Sequence, residues 1–347
     1  MAIERIPESG YDFRMNNIKA AIPQILQNSL EFARGSFESK ELVYTEAGAY
    51  CLWYALAQSA ILRPLLSSPE ALKKSGLTKG DWGSDYNPSL NIDIIGGLIA
   101  SHIFSSRPGP TSLFVEENKR WDKYGSRDLG ERWIVMVDPL DETSGIKNDM
   151  KTQTTGMLVT DTNGEFLAGA VSSLVDNTIL LVEKDGAVLI NFDMKRQKVT
   201  TEKITRSNKK SLADFRVATL GRRFTKSEQP LNKTQFSKNK QEPDLDSFGG
   251  YGLLSMIKNG HYGYIDAMID PLMGQPWYEA VIWGYIAREM GLSVIGKDGM
   301  EIDFGSIILK AWEESDEIKD WKKRVPIIIS QTPELSREIC KQCNSKL

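Results

Sequence analysis

Apolar positions at Ile18, Ala21, Ile22, Ile25 and Leu26 recur three or four apart, which predicts a helix over 15–37. Residues 44–66 are apolar nearly all round, as a helix buried on every side would be. The stretch 67–76, "SSPEALKKSG", reads as a short helix with a Ser cap, Pro at its first position and Gly at its end, and 78–89 reads as loop. A further helix is expected over 91–106, with Asp93 near its start. From 131 the rhythm changes. A strand over 131–137 runs into "DPLDETSG", read as a turn, and 153–192 alternates short apolar runs with Thr-Asn-Gly, Val-Asp-Asn and Lys-Asp-Gly turns. That alternation predicts an antiparallel meander of about four strands.

Residues 225–246 are polar and read as a mobile excursion. Beyond them come a glycine-led helix at "GGYGLLSMI", a short strand at "YIDAMID", a helix at "WYEAVIWGYIAREMG", a strand-like "LSVIGKDG" and a terminal helix capped by Thr332 with Pro333 following. Helices first, then mixed elements, then antiparallel strands predict a layered α/β or α+β class. Two parts are expected. Residues 1–200 form an N-terminal α+β part with the meander, and 201–347 a C-terminal α/β part that completes the site.

Composition removes several chemistries. The 347 residues are 41% hydrophobic and 26% charged with a formal net charge of -3, so neither a nucleic-acid polymer nor a membrane surface is expected as partner. There is no basic segment leading into an apolar run at the start, and three cysteines make no even disulfide framework, so a reducing, cytoplasmic setting is expected. Only two histidines occur, His102 and His261, and no phosphate loop or nucleophile elbow is present. Any catalysis must therefore rest on carboxylates.

Those carboxylates cluster at element ends. Asp138 and Asp141 sit three apart after an apolar strand, Glu116 and Glu117 follow the apolar "LFV", and Asp93 and Glu279 lie in first helical turns. Hard oxygens aimed into one cavity suit paired divalent cations. The plainer alternatives are an Asx-type turn with a helix cap for the two aspartates, and a dipole partner for Glu279.

The order Asp93…Glu116-Glu117…"DPLDET" (138–143)…"WYE" (277–279)…"EMGL" (289–292) resembles the motif series of the inositol monophosphatase-like superfamily, over about residues 91–305. These are Mg²⁺-dependent, lithium-sensitive phosphatases, and the resemblance implies their layered αβαβα sandwich. It further implies two or three Mg²⁺ ions. Glu116, Asp138 and the Leu140 carbonyl would hold one ion, with Asp138 bridging to another held by Asp141 and Glu279. Asp93 and Thr143 would activate the attacking water with Glu117 behind them, and the amides of Glu142 and Thr143 would hold phosphate. Gly250, Tyr251 and Gly252 would line the substrate side, and Asp270 would meet a sugar or inositol hydroxyl. Arg222 and Arg223 either bind a second phosphate or are solvated. The implied substrate is a small phosphorylated polyol, sugar or nucleotide, and a homodimer is in keeping with the family. Three positions depart from the pattern: Glu142 where a small residue is usual, Tyr278-Glu279 for Trp-Asp, and Gly291-Leu292 for Gly-Gly. They leave open a second reading, a binding or regulatory member of the same fold with impaired turnover.

Overall fold

A computed structural model of the chain describes residues 15–37, 45–67, 91–116, 118, 120–126, 128–141, 152–202, 204, 217–219, 249–258, 265–313 and 323–344. The expected loop at 78–89, the excursion at 225–246 and all of the 67–76 helix except Ser67 lie outside them. Ser67 itself caps the end of the preceding helix, its N–H donating to the Arg63 carbonyl.

Three helices precede the first sheet: α1 (Met15–Phe37), α2 (Glu46–Leu66) and α3 (Asn91–Ser105). Thr45 caps α2 by accepting from the Gly48 N–H. An eight-stranded sheet follows, built from β1 (Thr111–Val115), β2 (Arg120–Tyr124), β3 (Trp133–Asp141), β4 (Thr154–Thr160), β5 (Phe166–Ser173), β6 (Thr178–Glu183), β7 (Gly186–Asp193) and β8 (Lys198–Glu202). Its spatial order is β2-β1-β3-β4-β5-β6-β7-β8. β1 and β3 run parallel and every other neighbouring pair is antiparallel, so the expected meander is present as β4 to β8.

A second sheet of four strands has the order β11-β12-β10-β9, from β9 (Val217–Thr219), β10 (Ala267–Pro276), β11 (Ser293–Ile295) and β12 (Arg324–Ser330). Its helices are α4 (Gly250–Ile257), α5 (Trp277–Glu289), α6 (Phe304–Glu313) and α7 (Pro333–Asn344). The Thr332 side chain accepts from the Leu335 N–H at 3.3 Å, the cap expected there.

The packing explains the layers. One core joins α1, α2 and α3 to one face of the large sheet through residues such as Leu56, Ile99, Val135 and Val137. A second joins the opposite face, through Ile134, Met136 and Leu158, to α4, α5 and α6 and on to Met268 and Ile329 of the small sheet. A third joins the far face of the small sheet, through Ile269 and Ile328, to Leu335 and Ile339 of α7. The result is an αβαβα sandwich. Because α5 lies between two sheets, both of its flanks are apolar, and Trp277 to Ala287 are buried without a break.

Two glycines set how closely α5 can approach. A Cβ on Gly156 of β4 would lie 2.2 Å from the Trp283 ring, and one on Gly284 would lie 2.4 Å from Phe304. The bare backbone at these points lets the helix seat against its neighbours.

Candidate active site

The expectation that β3 stops before a "DPLD" turn is overturned. β3 continues through Asp141, and the segment is a bulge: Asp138 pairs with Gly156 and Asp141 with Thr154, so three steps on β3 face two on β4. Pro139 has no N–H to give to the ladder, which favours the irregularity at this point.

The bulge has a consequence for chemistry. In a regular strand, residues three apart point to opposite faces. Up to the bulge, Trp133, Val135 and Val137 face α1–α3, while Ile134 and Met136 face α4–α6. Pro139 packs where Gly96 of α3 leaves room, a Cβ there being 2.6 Å from the proline Cβ. Leu140 then joins the same core as Val137, and the Asp141 carboxylate faces α4. The extra residue thus brings both aspartates to the α4–α5 side.

Parallel pairing supplies the next acid. Val115 is in register with Val137, and the Glu116 N–H donates to the Val137 carbonyl at 3.2 Å, which sets Glu116 level with Asp138. From above, α5 directs its first turn at the same place. The Tyr278 hydroxyl donates to Glu116 Oε1 at 2.9 Å. Burial, then the charges of Glu116 and Glu279, the Glu116 hydrogen bond and the charge of Asp138 hold the Tyr278 phenol well above its ordinary value. Three carboxylates from β1, β3 and α5 therefore bear on one buried O–H.

Asp141 is differently engaged. Its Oδ2 accepts from the Gly250 N–H at 2.7 Å and from the Thr154 hydroxyl at 3.3 Å, so it sits at the N-terminus of α4. Gly249, at φ 136°, would place a Cβ 2.1 Å from Asp141 Oδ2, and Gly250 would place one 2.3 Å from Thr154 Oγ1. The close approach expected of the glycines at 250–252 is thus made by Asp141 and Thr154, while Tyr251 and Gly252 are buried within α4. A further tie fixes the bulge: Tyr54 bonds the Thr155 hydroxyl at 2.8 Å, and Thr155 donates to the Asp138 carbonyl at 3.0 Å.

Solved structures share this architecture. Fructose-1,6-bisphosphatase of Leishmania major, in holo form, superposes with a TM-score of 0.58 at 13% identity, over 87% of this chain and 96% of that one. The fold is that of the inositol monophosphatase-like proteins. An inositol monophosphatase of Zymomonas mobilis gives 0.54 at 15% identity over 86% of this chain and 98% of that one. The inositol monophosphatase of Thermotoga maritima gives 0.53 at 16% identity over 82% and 95% respectively. No protein-family model and no curated protein matches the sequence. At such identities the likeness carries the fold.

Within this inositol monophosphatase-like fold, Asp93 is buried in the first turn of α3, one turn before the Gly96 contact with Pro139. Asp270 is turned inward: Oδ1 accepts from the Gly274 N–H at 3.0 Å and Oδ2 from Gln275 Nε2 at 2.7 Å. It holds the irregular stretch of β10 between Asp270 and Gln275, where the sequence suggested a contact with a sugar hydroxyl. Glu117, Glu142, Thr143, Arg222 and Arg223 lie outside the described residues. His102 is exposed, with Nδ1 at the Leu98 carbonyl, and Tyr54, Trp277 and Trp283 are core.

Glu116, Asp138, Asp141, Glu279 and the Leu140 carbonyl are hard oxygen donors, and such a set fits Mg²⁺ in its chemistry. Among the described residues, however, no group of three or more His, Cys, Asp or Glu side chains is drawn together to hold a metal ion. Donors that engage Glu116 and Asp141 include Tyr278, Gly250 and Thr154; Gly250 was expected on the substrate side, and Tyr278 is the neighbour of Glu279. Thr154 and Thr155 become visible only once β4 is paired with β3.

Proposed function

We propose that the chain is a Mg²⁺-dependent phosphomonoesterase acting on a small phosphorylated polyol, sugar or nucleotide. The single observation that carries this reading is that β1–β3 pairing sets Glu116 level with Asp138, where its carboxylate accepts from the hydroxyl of Tyr278, the neighbour of Glu279. Acids delivered there by a parallel strand pair and a helix N-terminus are hard oxygen donors, the type that divalent cations take.

Glu116, Asp138, the Leu140 carbonyl, Asp141 and Glu279 would hold the ions. Bound Mg²⁺ would supply Lewis acidity toward a phosphoryl oxygen and lower the pKa of a coordinated water. Asp93 and Thr143 would orient that water and accept its proton, with Glu117 supporting them. The backbone N–H groups of Glu142 and Thr143 would hold phosphate, and Arg222 with Arg223 would take a second phosphate where the substrate carries one. The Asp141 seat on α4 would relay the position of the Gly250–Gly252 segment to the metal side.

Phosphate release from inositol phosphates, fructose 1,6-bisphosphate and adenosine 3′,5′-bisphosphate, with Mg²⁺ and with a chelator, tests this. Mg²⁺-dependent turnover of at least one is expected. No release from any of them under either condition would overturn it.

A second reading, a binding or regulatory protein with impaired turnover, is favoured by one observation: Glu116 and Asp141 oxygens already accept from protein donors, and the acids are not grouped around a cation site. It predicts a rise in thermal midpoint with one of these phosphates and no hydrolysis.

A further inference from the structure

Carboxylates brought close repel one another, and donors or a cation offset that charge; Asp138 and Glu279 are buried here, and Glu116 is half-buried. At this site the Tyr278 O–H donates to Glu116 at 2.9 Å, from a side chain only 2% exposed. The ring has little freedom to leave: it packs on Phe114 with centroids 5.7 Å apart and on Trp277 at 5.9 Å.

We infer that Tyr278 competes with a cation for Glu116: its hydroxyl donates to the carboxylate that a divalent ion would bind, so the ion gains Glu116 at the expense of that hydrogen bond. This rests on the reading that the acids are metal ligands, and it goes beyond that reading by assigning a residue that restrains metal affinity. Tyr278 is here a positioning residue. Removing only its oxygen keeps the ring contacts and leaves Glu116 without that donor, so the metal-free state is weakened while the ion meets less competition. A hydrogen bond to a charged acceptor is strong enough for its loss to shift affinity by roughly tenfold or more.

The test is calorimetric titration of the full chain and of Tyr278→Phe with Mn²⁺, alongside thermal midpoints measured with and without the ion. Tyr285→Phe is the control, since the Tyr285 hydroxyl donates to the Gly164 carbonyl at 3.0 Å instead of to an acid. Tyr278→Met, which has bulk and no O–H, is the second variant should the phenylalanine fail to fold. Expected is a Kd for Mn²⁺ about tenfold lower in the Tyr278 variant, a lower metal-free midpoint and a larger rise on adding metal, with no change in Mn²⁺ affinity in Tyr285→Phe. If the parent binds Mn²⁺ and the Tyr278 variants bind equally or more weakly, the inference fails and the metal reading stands. If only the Tyr278 variants bind, the inference holds and the native chain is not metal-loaded. If none binds, both fall.

Discussion

The two faces of the eight-stranded sheet handle buried polarity in opposite ways. Toward α2, the pairs are mostly neutral: Tyr54 with Thr155 at 2.8 Å, Ser59 with Ser172 at 2.9 Å, and Gln58 Nε2 with the Gly96 carbonyl at 2.8 Å, while the buried Glu183 carboxylate accepts from the Thr45 N–H at 2.9 Å. Toward α5, carboxylates from three elements share the vicinity of one phenol. Neutral hydrogen bonds in a dry interface stiffen it at modest net gain. Like charges brought together in such a place oppose folding unless something positive joins them. The first face is therefore framework, and the second carries charge that framework alone does not need.

The contrast can be broken most forcefully at Asp138. Asp138→Asn is expected to lower phosphate release by about 100-fold or more, since partners one step removed from a metal already cost 10–100-fold, while circular dichroism stays that of the parent. Equal turnover in the variant would dissolve the distinction between the faces. Gly156→Val is the next largest effect. Its Cβ would lie 2.2 Å from the fully buried Trp283 ring, so stability should fall by about 3 kcal/mol in denaturant titration, with α5 and its Glu279 displaced.

A change on the framework face should touch stability alone. Ser59→Ala removes the hydroxyl that pairs with Ser172, and about 1 kcal/mol should be lost while phosphate release is retained. The smallest effect lies far from either face. Asp303 caps α6, accepting from the Ser306 N–H at 3.0 Å and the Ser306 hydroxyl at 2.6 Å. These bonds, the hydroxyl first, lower its carboxyl from the ordinary value. A lowered folded-state value means stability present above the unfolded value of about 4 and lost as the pH falls through the folded one. Asp303→Ala should thus cost roughly 0.5–1 kcal/mol at pH 7, with the difference from the parent shrinking in acid.

Much of this frame was legible in the residues. α1 and α5 follow from their spacing and buried length, and the meander from its turn dipeptides. Other elements were silent for physical reasons. β2 reads "RWDKY", with one fully buried side chain, so it carries no apolar alternation to detect. β12 begins at Arg324 with half-buried residues and a proline, and it is a strand because β10 and β11 pair with it on both sides. The order of the acids marked the site region, yet their present partners are tertiary. Asp270 accepts from Gly274 and Gln275, and Asp141 accepts from Gly250 at the N-terminus of α4, neither of which the order of motifs discloses.

Alternation also explains why "DPLD" reads as a turn: two acids three apart cannot share a face of an unbroken pleat. The extra step between Pro139 and Leu140 resolves this, and it makes residue count as binding as residue identity. Were residues 138–141 to pair with β4 without that extra step, every acid retained, Asp141 would point through the sheet toward α2 and α3, and the α4–α5 side would lose a carboxylate to a miscounted pleat.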